Sequence, residues 1–275
     1  MTSQTPTDFG RAGRNLPLAT AVGVALFAAL TLSLIYEPLF FAILAAVIMV
    51  LAVKELSDAL IGELPLRVRQ VLIVSAPAIV MAAYLGGPEW LLGTFTTTVI
   101  ALLISRLFYE QEQYVSNVSR AVFVTTYAPF LASFAVMLAA EPNGDRKVFA
   151  LVLLTIGADI GGYFAGVAFG KHPLAPKISP KKTWEGSIGA ILVQITIGAA
   201  LWQLLFQESW WKGAVVGAIM TVTATFGDLI ESMIKRDIGI KDMSTILPGH
   251  GGIMDRLDSL MVNAAVAWGL FALFL

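Results

Sequence analysis

Apolar runs of about twenty residues, broken by short polar segments, recur from Leu16 to the last residues of the chain. An α-helix rises 1.5 Å per residue, so about twenty predominantly apolar residues are needed to cross the hydrocarbon layer of a bilayer. That length predicts nine helices, near residues 16–35, 38–57, 68–86, 89–108, 119–140, 147–170, 186–206, 210–235 and 253–274. The breaks have the right chemistry. Glu37-Pro38, Gly86-Gly87-Pro88 and Glu141-Pro142-Asn143-Gly144 are sequences that end helices and turn the chain. The first run exceeds the 7–15 apolar residues of a cleaved signal and is read as an uncleaved helix. Ahead of it, residues 1–15 are polar and small, the pattern of a short disordered tail. The expected fold is an all-α, polytopic bundle.

Composition agrees. Apolar residues make up 57% of the chain and charged residues 13%, with mean hydropathy +0.79; a soluble domain carries about 25% charged residues. The formal net charge of -1 gives no global attraction to nucleic acid, so any electrostatic preference is local. The lack of cysteine excludes disulfides, thiolate metal sites and thiol nucleophiles.

Cytoplasmic connections of membrane proteins are enriched in Lys and Arg. With the N-terminus inside, fifteen of the eighteen basic residues fall on the cytoplasmic side, and only Arg146, Lys147 and Lys212 fall outside. The two long polar connections, 171–185 and 236–252, both face the cytoplasm in this arrangement. The chain then divides into a cytoplasmic tail (1–15), N-terminal scaffold helices (16–140) and a C-terminal region (141–275) that carries the candidate chemistry. The expected location is the cell (inner or plasma) membrane, with the site at its cytoplasmic face.

Four acids and four cations crowd between Ser232 and Asp258, beside apolar runs. Near the centre of a spanning helix each charge costs roughly 2.5–3.5 kcal/mol, so such a cluster points to a charged ligand. Helical spacing sets Asp228, Ser232 and Lys235 along one stripe. Taken alone, Lys235 and Arg236 also suit snorkelling to headgroups, and Asp228 suits an ion pair with Lys235. Lys241, His250 and the pair Gly251-Gly252 follow, just before the last helix; glycines permit close backbone approach and helix N-termini favour anions. Asp255 and Asp258 are i, i+3 neighbours whose repulsion a divalent cation relieves. Oxygen ligands without sulfur suit Mg²⁺, although Arg256 and the helix dipole offer a structural alternative.

A second cluster surrounds the sixth expected helix. Gly162, Gly166 and Gly170 form a small-residue seam for close helix packing, with Asp159 preceding it inside the apolar run. In the loop that follows, Lys177, Ser179, Lys181, Lys182 and Thr183 offer donors suited to phosphates, or to anionic lipid. Glu185 suits the first turn of a helix, and the two histidines, His172 and His250, suit loop hydrogen bonding or general-base work.

The run from Ser232 to Asp258 resembles the signature of phosphatidate cytidylyltransferases, the CDP-diacylglycerol synthases. The match comprises Ser232, Lys235, Arg236, Lys241, Asp242, Ser244, Pro248, His250, Gly251, Gly252, Asp255, Arg256 and Asp258. Upstream, Ser179, Pro180, Lys181, Lys182, Thr183, Glu185 and Gly186 resemble a second family segment. The resemblance implies an enzyme that joins CTP to phosphatidic acid with Mg²⁺, releasing pyrophosphate. Asp228, Lys235, Asp255 and Arg256 are then the expected catalytic residues. Asp228 and Asp255 anchor the metal, with Asp258 and Asp159 as further ligands and a second cation as an extension. Ser179, Lys181, Lys182, Thr183, Ser232, Arg236, Lys241, His250, Gly251 and Gly252 are expected to bind substrate. Exposed apolar faces suit membrane lipid or a homodimer partner. The rival readings are an ion-coupled transporter and a CTP-dependent lipid kinase.

Overall fold

The computed structural model describes residues 28–62, 65–107, 113–244, 246 and 251–275. Residues 28–36 are helical and stop at Glu37, whose extended backbone precedes Pro38. Proline lacks a backbone N–H and suits a first helical turn, so α1 (Pro38–Leu60) starts there. The expected tail, and most of the first expected helix, lie outside the described residues.

Seven long apolar helices follow from that point among the described residues. They are α1, α2 (Leu66–Ser105), α3 (Tyr114–Ala140), α4 (Gly144–Phe169), α5 (Trp184–Leu205), α6 (Trp210–Asp237) and α7 (Met254–Phe274). The two runs expected at 68–86 and 89–108 form one 40-residue element interrupted at Gly87, whose φ of 63° and ψ of -150° leave helical geometry. Only glycine adopts such a conformation at little cost. Each arm is about as long as one crossing. Within α3, Thr126–Phe130 is a π-helical turn containing Pro129, and a missing N–H is one way to widen the hydrogen-bond ladder. The polar loop after α4 is a two-stranded antiparallel hairpin, β1 (Pro173–Ala175) and β2 (Ser179–Thr183).

Glycines set the spacing of the C-terminal helices. At the α4–α5 crossing, a methyl group on Gly186 would sit 2.9 Å from the Gly162 carbonyl oxygen, and one on Gly161 3.3 Å from the Ala190 Cα. Gly166 and Gly170 lie against Thr183, so the small-residue seam packs as the spacing predicts. At α5–α6, side chains at Gly198 and Gly217 would strike the carbonyls of Gly213 and Gln194. At α6–α7, a methyl on Gly227 would fall 2.8 Å from the Asp258 carbonyl oxygen. Backbone contact at Gly227 brings Asp228 close to Asp258.

The two ends of the bundle differ in charge. Arg146 donates to the Leu205 carbonyl (3.1 Å), and Lys212 to Glu208 (2.6 Å) and the Phe274 carbonyl (3.2 Å). Lys147 pairs with Glu141, which also accepts from the Trp268 indole. These three basic residues are the ones that charge counting separates from the rest, and they share the end of α4–α7 opposite the signature. Between the ends, apolar side chains face outward, as with Ile156, Ile160, Phe164 and Val167 on α4. The chain is a multi-pass membrane protein.

Candidate active site

Asp228, Glu231 and Lys235 follow one another at i, i+3 and i+7, so the α6 stripe carries two acids and a cation toward α7. Asp258 meets it from the first turns of α7. One carboxylate oxygen from each of Asp228, Glu231 and Asp258 lies within 4.8 Å of the others. Three carboxylates this close repel unless cations intervene. Lys182, on β2, reaches across to form an ion pair with Asp228. Asp159, exposed on α4, stands within electrostatic range of Lys182 and Asp228.

Lys235 stands between two acids, 2.7 Å from Glu231 and 2.7 Å from Asp255. Both carboxylates are almost sealed, at 1% and 5% side-chain exposure, so the ammonium is their compensating charge. The second oxygen of Asp255 accepts from the backbone N–H groups of Met243 (2.9 Å) and Gly252 (2.8 Å). Asp255 thus ties the signature loop to Lys235, while Asp258 joins Asp228 and Glu231. The expected pairing of Asp228 with Asp255 is indirect here, running through Glu231 and Lys235.

The residues expected to contact substrate differ in exposure. Lys181, Arg236, Lys241 and Arg256 are exposed, whereas Ser179, Ser232 and Gly251 are partly buried and Gly252 is buried. Gly251 has a φ of 83°, which suits its place in a tight turn. Arg236 donates to the Ile178 carbonyl (3.4 Å), joining the end of α6 to the hairpin tip. Thr183 caps α5 by accepting from Gly186 N–H (3.1 Å). Glu185 accepts from the backbone N–H groups of Lys171 and His172 and meets the His172 ring at 2.6 Å, closing the hairpin. His250 and Pro248 lie outside the described residues.

Four features lack an expectation from sequence. Glu231 stands beside Asp228 and Lys235 at helical spacing, the one signal that exposes it. Glu55, far back on α1, accepts from Ile253 N–H (2.8 Å) and Met254 N–H (3.1 Å) at the start of α7. Tyr127, in the π-helical turn, is 5% exposed, has no hydrogen-bond partner for its hydroxyl among the described residues, and feels the charges of Asp258, Glu231 and Asp228. One turn below the acids, Asn263 donates to Thr155 (3.0 Å) and accepts from Thr223 (2.5 Å). That polar link holds α4, α6 and α7 in register beneath Asp159, Asp228 and Asp258.

The oxygen-only set fits a hard divalent cation such as Mg²⁺. A buried oxygen of Glu231 has no hydrogen-bond partner among the described residues, so it keeps a lone pair for such a cation.

Comparison with known proteins gives a consistent picture. The model of the cytidylyltransferase family matches residues 18–274. A phosphatidate cytidylyltransferase of Mycobacterium bovis is 37% identical across 96% of this chain and 91% of its own length. The protein of the same name from Mycobacterium leprae is 35% identical across 98% and 92%. One from Brucella melitensis is 38% identical over 54% of the chain and 55% of its own length.

Proposed function

Because the chain belongs to the cytidylyltransferase family along nearly its whole length, we propose that the acidic group of Asp228, Glu231 and Asp258 is its catalytic centre. The reaction is transfer of CMP from CTP to phosphatidic acid, giving CDP-diacylglycerol and pyrophosphate for phospholipid synthesis. The observation that carries the assignment of the centre is the convergence of three carboxylates, one with a buried oxygen lacking a hydrogen-bond partner among the described residues, at the basic end of a membrane bundle.

A phosphate oxygen of phosphatidate attacks the α-phosphorus of CTP in line. The P–O bond to the β-phosphate breaks, and pyrophosphate leaves. The nucleophile is already anionic, so alignment and charge neutralisation matter more than a general base. When bound, Mg²⁺ would be held by Asp228, Glu231 and Asp258, with Asp159 beside them for a second cation, and would neutralise triphosphate charge. Lys182 can exchange its Asp228 partner for a substrate phosphate. Lys235 stays fixed by Glu231 and Asp255, which keeps a positive charge beside the reacting groups. Lys181, Arg236, Lys241 and Arg256 line the approach and attract both anionic substrates. Asp255 acts through Lys235 and the loop backbone. Both substrates are served by a site at the cytoplasmic face of the cell membrane, open to water and sideways to lipid. The outward apolar faces serve lipid contact, and a homodimer through one of them is tested by crosslinking in the membrane.

Product identity tests the reaction. CTP labelled at the α-phosphate, incubated with phosphatidate and Mg²⁺, should deliver its label to lipid, with unlabelled pyrophosphate released. Label that enters lipid only from the γ-position would establish a kinase instead. Uptake into sealed vesicles without lipid labelling would establish a transporter.

A further inference from the structure

The start of α7 supplies no cap of its own. Its boundary residue is Ile253, which has no side-chain acceptor, although the first N–H groups of a helix need one. The acceptor comes from 198 positions earlier in the chain. Glu55 on α1 is 4% exposed, and a single oxygen, Oε2, takes both Ile253 N–H (2.8 Å) and Met254 N–H (3.1 Å). A carboxylate there also faces the positive end of the helix dipole. The other oxygen, Oε1, is buried, has no hydrogen-bond partner among the described residues, and occupies the place where a side chain at residue 252 would begin. A side chain at residue 252 would therefore displace the Glu55 carboxylate from its place.

Immediately beyond, Asp255 takes Gly252 N–H and Met243 N–H on one oxygen and Lys235 on the other. Two carboxylates from different helices thus hold four backbone N–H groups around the signature turn. A cleft of roughly 470 Å³ opens beside them, between Lys54, Glu55 and Asp58 of α1 and Asp242, Met243 and Ser244 of the loop. A shift of the α7 start moves Asp255 and Asp258 together, because both lie in its first turns.

We infer that Glu55 is a positioning residue of the transferase reaction, fixing the start of α7 so that Asp258 reaches Asp228 and Glu231 while Asp255 holds Lys235. This assignment rests on the reaction proposed above and gives the N-terminal helices a direct part in it. Charge-assisted hydrogen bonds to backbone N–H are about twice as strong as neutral ones. An amide keeps an acceptor at this position, whereas a methyl group leaves both N–H groups unmet.

The test compares the purified full-length wild type with Glu55→Ala, Glu55→Gln and Gly252→Ala for CDP-diacylglycerol formation and thermal unfolding. Wild-type turnover checks the reaction itself, separately from the role of Glu55. Glu55→Ala should lose at least about 10-fold in kcat, the lower end for a lost orienting partner, with KM for CTP changed less than kcat. Glu55→Gln should recover most of that loss. Gly252→Ala should lose turnover as well, and adding Glu55→Ala should not deepen the defect, since the collision partner is gone. An active wild type with Glu55→Ala equal to it in kcat would overturn the role. So would losses of kcat and stability that track one another across all three variants with no recovery in Glu55→Gln.

Discussion

At the scale of single residues, the site depends on how buried acids are compensated. Lys235 is the common partner of Glu231 and Asp255, so Lys235→Met leaves two sealed carboxylates without their cation. Breaking a buried pair costs about 3–5 kcal/mol, and thermal unfolding in detergent should register a loss on that scale together with the loss of turnover. Glu231→Gln removes charge where an oxygen has no hydrogen-bond partner among the described residues, and should reduce kcat about 100-fold or more, the range for lost electrostatic stabilisation, with little loss of fold. A kcat within about twofold of wild type would remove Glu231 from the centre. Asp228, Lys235, Asp255 and Asp258 stood out in the sequence as candidates, because charges in apolar runs are costly and the signature spacing is specific. Glu55 was not. In the run LAVKELSD it is one acid among the charges at a helix end, and its partners lie 198 positions away.

The helices themselves were largely legible, since crossing a bilayer imposes a length that hydropathy reveals directly. Boundaries at α4 to α7 fall within a few residues of expectation. The kink at Gly87 was foreshadowed by Gly86-Gly87-Pro88, although the two arms count as one element. The hairpin at 173–183 was read only as a loop, because strands of three and five residues with prolines show no usable alternation. The π-helical turn had no signal beyond Pro129. Packing between elements carries its own prediction. Gly227 permits the backbone contact that sets Asp228 near Asp258, so Gly227→Val forces α6 and α7 apart. Overpacking of this kind costs about 1–3 kcal/mol, yet activity should fall far more steeply than stability, as a comparison of turnover with unfolding temperature will show. If Gly227→Val keeps wild-type turnover, the close crossing does not set the site.

The whole molecule is a bundle with chemically distinct ends. Arg146, Lys147 and Lys212 hold one end through carboxylates and helix carbonyls, while the signature, hairpin and acidic group share the other. A soluble nucleotide and a lipid anion can meet only where water and leaflet meet, which is the position of that second end. The absence of native cysteine makes sidedness directly measurable. In intact cells a membrane-impermeant maleimide should label Ser209→Cys, at the Lys212 end. Lys177→Cys, at the hairpin tip, should label only after permeabilisation, and the reverse pattern would invert the bundle.

The account turns on a metal-dependent transfer centred on the carboxylates shared by α6 and α7. The most direct test is the Mg²⁺ dependence of lipid labelling from α-labelled CTP by purified wild type and Asp258→Asn. The wild type should require Mg²⁺, and Asp258→Asn should lose at least about 100-fold in kcat while unfolding near the wild-type temperature. Wild-type turnover in Asp258→Asn, with the same Mg²⁺ dependence, would contradict it.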